Sequence, residues 1–279
     1  MYKDIVVCVN ESDGRENTIR AAARFANQAN ASLAGVYVTV SGTTAASSYI
    51  SFPYGMVSKD IITLAEEREA EQSLKAKNLF KEIVDELNCR ATWLVVPSYE
   101  HSLRRMAYAD LIITNQVAYD PGQGQSNIGF INTLVLETGK PVILIPPGWN
   151  QVEIGKRVLI GWDESREAAR AVQDAMPILK QADSVDAVTV NYKDHDASID
   201  VSEISRYLTR RDVTNSSHLE LTDEQSDTPE RVLLEFAAKT SADLIVVGGY
   251  GHSRIREIIL GGVTRNLSKH SNVPVLFSH

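Results

Sequence analysis

Ala242-Asp243-Leu244-Ile245-Val246-Val247-Gly248-Gly249-Tyr250-Gly251 decides the fold, and it runs on through His252 to Leu260 and then Gly261-Gly262-Val263-Thr264. Leu244 to Val247 show no polar alternation and end in glycine, the pattern of a parallel strand buried on both faces. Gly248 and Gly251 follow, then nine residues, then Gly261 and Gly262, which open a segment with helical spacing at Val263, Leu267 and His270. In open α/β sheets ligands sit outside the carboxyl ends of strands. A helix opening with glycine lets backbone N–H groups approach a phosphate, and its dipole favours negative charge there. Glycines that only make turns are the alternative, and four of them on both sides of one loop count against it.

Working outward, the chain reads as one pattern used twice. Ile5 to Val9 is an apolar strand, and Ser12 or Asp13 is placed to cap the helix whose apolar positions include Ile19, Ala22, Ala26 and Ala29. Ser32 to Val40 is a second strand, followed by a polar insertion from Ser41 to Ser58 carrying Tyr49, Phe52 and Tyr54. A charged helix from about Lys59 to Leu87, strands at Arg90 to Val96, Asp110 to Thr114 and Pro141 to Ile145, and helices at Tyr99 to Ala107 and Ile131 to Glu137 complete the first half. After the turn-rich Pro146 to Asn150 the pattern restarts, with strands at Arg157, Val185 and Val213 and helices at Arg166 to Lys180, Ile199 to Arg210 and Pro229 to Lys239. Pro177 is expected to kink or end the first of these helices. Ala109-Asp110-Leu111-Ile112 aligns with Ala242-Asp243-Leu244-Ile245, and Pro141 with Pro274, at a constant separation of 133 residues. The predicted fold is α/β, with two tandem doubly wound, Rossmann-like domains over residues 1–147 and 154–279, each built on a five-stranded parallel sheet.

Gly248-x-x-Gly251, nine residues, Gly261 with a small residue after it, and the closing Asn272-Val273-Pro274-Val275-Leu276 closely resemble the universal stress protein family. The resemblance implies an adenine nucleotide alpha hydrolase-like fold. It also implies an ATP site (or ADP or AMP, with or without Mg) in the ATP-binding branch. There the glycine pattern holds triphosphate and ribose, which places Gly248, Gly251, His252, Gly261, Gly262, Val263 and Thr264 near the phosphates. The residue matching Asp163 hydrogen-bonds adenine, and the backbone at the position matching Val190 contacts it. The resemblance further implies that the halves pair through their last strands as an internal pseudo-dimer, with a homodimer as a further option. In that branch the slot after the third glycine is Ser or Thr; here it is Gly262, which keeps the backbone donor and loses the hydroxyl.

The repeat shows where the halves diverge. Gly248, Gly251 and Gly261 correspond to Asn115, Ala118 and Ile128, and Asp163 to Asn10, while Gly262 keeps its partner Gly129. The second half is therefore read as the nucleotide site and the first as a degenerate copy. Asp163 has a second reading as a helix cap, which Ser165 can also supply. Thr264 either replaces the missing hydroxyl or caps locally. No catalytic residue is nominated: Gly251-His252-Ser253-Arg254-Ile255 lacks the second glycine of a nucleophile elbow. At most a slow ATPase is expected. The rival function is a nucleotide-free scaffold or small-molecule-binding stress protein that uses the first half's insertion.

A net charge of −8 argues against a general nucleic-acid or membrane-surface binder, which needs a basic face. No apolar run is long enough to span a bilayer, and the scattered histidines have no zinc-ligand spacing. Cys8 and Cys89, both in strand contexts, form no metal or redox motif, so a reduced cytoplasmic setting is expected. The expected partners are an adenine nucleotide and an unidentified protein.

Overall fold

Ten strands form one continuous sheet in the order β3-β2-β1-β4-β5-β10-β9-β6-β7-β8. The computed structural model describes residues 1–9, 14–39, 59–97, 99–116, 126–192, 199–222, 228–249 and 262–279. In the first half these are β1 (Asp4–Cys8), α1 (Arg15–Ala29), β2 (Ser32–Val38), α2 (Lys59–Glu86), β3 (Ala91–Val96), α3 (Tyr99–Met106), β4 (Leu111–Asn115), α4 (Ser126–Glu137) and β5 (Val142–Ile145). The second half repeats the order with β6 (Arg157–Gly161), α5 (Arg166–Leu179), β7 (Ser184–Tyr192), α6 (Val201–Thr209), β8 (Asn215–Thr222), α7 (Pro229–Thr240), β9 (Leu244–Gly248), α8 (Gly262–His270) and β10 (Val275–Ser278).

Central strands are apolar because helices cover both of their faces. β4, β5 and β10 are buried at every residue. The outermost strands differ: β3 is only partly buried, and β8 carries the polar run Asn215, Ser216, Ser217 and His218. Within each half all pairings are parallel, and the order reverses beside the first strand, between β1 and β4 and between β6 and β9. The halves meet where β10 runs antiparallel to β5, with Val275 opposite Leu144, Leu276 opposite Ile143 and Phe277 opposite Val142. All six side chains are buried, so the seam is a continuation of the core.

The repeated aspartate has a structural reason. Asp110 Oδ2 accepts the backbone N–H groups of Lys3 (2.7 Å) and Asp4 (3.1 Å) where β1 begins. Asp243 does the same for β6, accepting from Gly155 (2.7 Å), Lys156 (2.9 Å) and Arg157 (3.1 Å). Asp243 is almost fully buried. Burial pushes its carboxyl up from the ordinary value, and these backbone donors pull the other way.

Several expectations shift in detail. The residue capping α1 is Gly14, with no side-chain cap bond; Ser12 and Asp13 lie outside the described residues. A Cβ on Gly14 would stand 2.9 Å from Pro147 Cα, so the linker packs where a side chain would be. Pro177 falls in the last turn of α5, which continues only to Leu179. The strand expected from Val213 begins at Asn215, and Val213 is a buried residue ahead of it. Cys89 lies between α2 and β3 rather than in a strand; burial raises its thiol and pushes that of Cys8 up to about 12. The insertion aromatics Tyr49, Phe52 and Tyr54 lie outside the described residues.

Candidate functional site

A cleft of about 350 Å³ opens at the carboxyl ends of β6, β7 and β9, where the strand order of the second half reverses. That volume falls in the range of small-molecule sites. Asp163, Val190, Gly248, Gly262, Val263 and Thr264 all line it. Those are the six nominated residues that the structure describes; Gly251, His252 and Gly261 lie outside the described residues. Four separate chain segments thus converge on one cavity.

Valines at β7, together with Leu233 and Val247, make an apolar wall. Gly161 keeps that wall open: a Cβ there would lie 2.9 Å from Val247 Cγ1 and 3.2 Å from Leu233 Cδ1. At the mouth, β6 passes into Trp162 and Asp163, and Glu164 takes a left-handed φ of 59° that turns the chain into α5. Asp163 Oδ1 accepts from Ser165 N (3.0 Å) and Ser165 Oγ (2.6 Å). Ser165 Oγ in turn accepts from Ala168 N at 3.1 Å. The helix cap is therefore Ser165, and Asp163 braces it while its exposed carboxylate borders the cleft.

The glycines divide by role. A Cβ at Gly248 would stand 2.5 Å from Ala168 N and 2.6 Å from the Glu167 carbonyl carbon. It is glycine because the first turn of α5 lies against it, not only because a ligand needs room. Gly262 is the opposite case, with nothing within 4 Å of a built Cβ. It opens α8, whose N-terminal dipole points at the cleft. Thr264 lies in the first turn of that helix, is 4% exposed and lines the cleft.

Sequence reasoning did not nominate Gly161, Trp162, Glu167, Pro229 or Leu233, which also line the cleft. The helical spacing of Leu233 and the strand-end position of Gly161 and Trp162 were available signals; nothing marked Glu167. In the first half, Asn115 occupies the position of Gly248 and is buried, its Nδ2 donating to Gln116 O at 3.5 Å. A buried amide stands there in place of the glycine. Ala118 and the side chain of Ile128 lie outside the described residues.

With this geometry in hand, residues 155–279 match the Universal stress protein family. The second half of the chain thus carries a domain similar to that family. The universal stress protein MJ0577 of Methanocaldococcus jannaschii is 40% identical over 48 residues, a match spanning 17% of this chain and 30% of that one. The stress response protein NhaX of Bacillus subtilis is 26% identical, covering 43% of this chain and 95% of that protein. A universal stress protein from Archaeoglobus fulgidus, known as a crystal structure, superposes with a TM-score of 0.70 over 99% of this chain and 97% of that one. At 14% identity it shows the shared fold. Among the described residues, no helix is long and apolar enough to cross a membrane.

Proposed function

We propose that this chain is a universal stress protein that binds an adenine nucleotide, ATP or a lower phosphate, in the cleft of residues 154–279. Bound nucleotide then biases its conformation or its choice of protein partner. The observation that carries the reading is the convergence of Asp163, Val190, Gly248, Gly262, Val263 and Thr264 on one cleft at the strand-order reversal. Asp163 and the Val190 backbone face the base. The start of α8 faces the phosphates, to which the family resemblance also assigns Gly251, His252 and Gly261. A second observation supports the switch. Gln116 of the first half reaches Leu267 O of α8 at 3.4 Å. A Cβ on Gly249 would lie 3.1 Å from Val135 Cγ1 of α4. The elements that border the cleft thus rest on the other half.

Gly262→Ser and Asp163→Ala test this reading by calorimetric titration with ATP. The open space at Gly262 admits a serine hydroxyl, and one added hydrogen bond to phosphate is expected to tighten binding about tenfold. Removing the Asp163 carboxylate is expected to weaken it by about the same factor. Binding indifferent to both changes would contradict the assignment.

A further inference from the structure

Helix α2 runs past the sheet that it covers. Its 28 residues span about 42 Å, whereas the six residues of β3 span about 20 Å. Ala76, Phe80, Ile83 and Val84 are buried, but no residue from Thr63 to Lys75 is. A helix in water draws most of its stability from packing one face. Among the described residues, this stretch lacks the packing that the rest of α2 has. An open groove of about 630 Å³ runs between it and β3, the strand at one end of the sheet. Leu74 and Val95, which are 57% and 51% exposed, both line that groove.

The α2 side of the groove consists of Glu66, Glu69, Ala70, Ser73, Leu74 and Lys77. They follow the i, i+3, i+4, i+7, i+8, i+11 spacing of one helix face. That face is complementary to itself. In an antiparallel pair of α2 helices centred midway between Ala70 and Ser73, Ala70 faces Ser73 of the other copy, Glu69 faces Leu74, and Glu66 faces Lys77. The small residues at the centre allow the helices to approach to about 8 Å between axes. Leu74 then packs against the methylene groups of Glu69, and each Glu66 meets an opposite charge. Two-fold symmetry makes every one of these contacts twice. Addition of a strand to β3 fits less well, because Pro97 follows that strand in the groove and has no N–H to extend the sheet. We propose that the groove is a contact between two copies of this chain, which associate through antiparallel α2 helices about a two-fold axis between Ala70 and Ser73. The contact is separate from the β5–β10 seam, which joins the halves of one chain, and it needs no nucleotide.

The test is sedimentation equilibrium of the full chain over about 1–100 μM. The wild type is expected to form a reversible dimer in that range. Glu66→Lys and Lys77→Glu each set like charges against one another at both symmetric pairs, and each is expected to weaken association about a hundredfold. An equal mixture of the two variants restores opposite charges at both pairs. Its mixed dimer is expected to form with close to wild-type affinity. Both side chains are exposed, so the urea unfolding midpoint of each variant is expected to match that of the wild type. A wild-type chain that stays monomeric throughout overturns the proposal and assigns the groove to another segment of the chain or to a different protein. A dimer indifferent to both substitutions overturns the α2 contact. Two weakened variants that do not recover on mixing overturn the antiparallel register.

Discussion

Replacing Gly248 with valine is expected to lower the unfolding free energy by about 3 kcal/mol, at the upper end of the cost of overpacking, and to abolish nucleotide binding. The built Cβ already stands 2.5 Å from Ala168 N and 2.6 Å from the Glu167 carbonyl carbon. Both are backbone atoms, so no rotamer change relieves the contact. The first turn of α5 must move, and it carries Ser165 and Glu167, two lining residues of the cleft. Urea unfolding and ATP titration of the same sample measure both effects. Wild-type stability in Gly248→Val would mean that α5 does not need this close approach. Gly262→Ser is the internal contrast: with open space around it, no change in unfolding midpoint is expected.

The second large effect concerns the repeated aspartates. Asp243→Ala is expected to cost about 3 kcal/mol, because it strips a charged acceptor from backbone donors at the buried start of β6. The donors left behind are Gly155, Lys156 and Arg157. Asp110→Ala removes the equivalent cap from Lys3 and Asp4, but at an exposed site where water replaces the lost acceptor. About 1 kcal/mol is expected there. Denaturant unfolding of the two variants side by side decides the matter. Equal losses would show that burial does not set the difference.

These residues also show what the sequence could and could not reveal. Leu244 to Val247 were legible as a buried strand because a strand covered on both faces has no polar side to alternate with. The edge strand β8 was legible in kind but not in register, since Asn215 to His218 carry little apolar signal to fix its start. The pairing Ala109-Asp110 with Ala242-Asp243 was visible as repetition. Its cause, a carboxylate capping a strand that begins 106 or 86 residues earlier, is a tertiary contact that no local pattern encodes. Gly14 and Gly248 teach the same lesson. Each is glycine because distant chain, Pro147 or the first turn of α5, comes within 3 Å of where a side chain would begin.

Site residues divided along similar lines. Those at strand ends or in glycine patterns were nominated, because topology says where strand ends point. Glu167 was missed because an acidic residue in the first turn of a helix is the ordinary complement to the helix dipole. Only its burial, against an outward-facing Arg166, sets it apart.

The most direct test of the central claim is calorimetric titration of the purified, nucleotide-free chain with ATP in magnesium, beside Gly261→Val. Saturation near one ATP per chain is expected for the wild type, and no binding is expected for the variant, whose side chain would occupy the phosphate position that the family resemblance assigns to Gly261. A folded wild-type protein that takes up no ATP, or a Gly261→Val variant that binds as the wild type does, would contradict a nucleotide site in the second half.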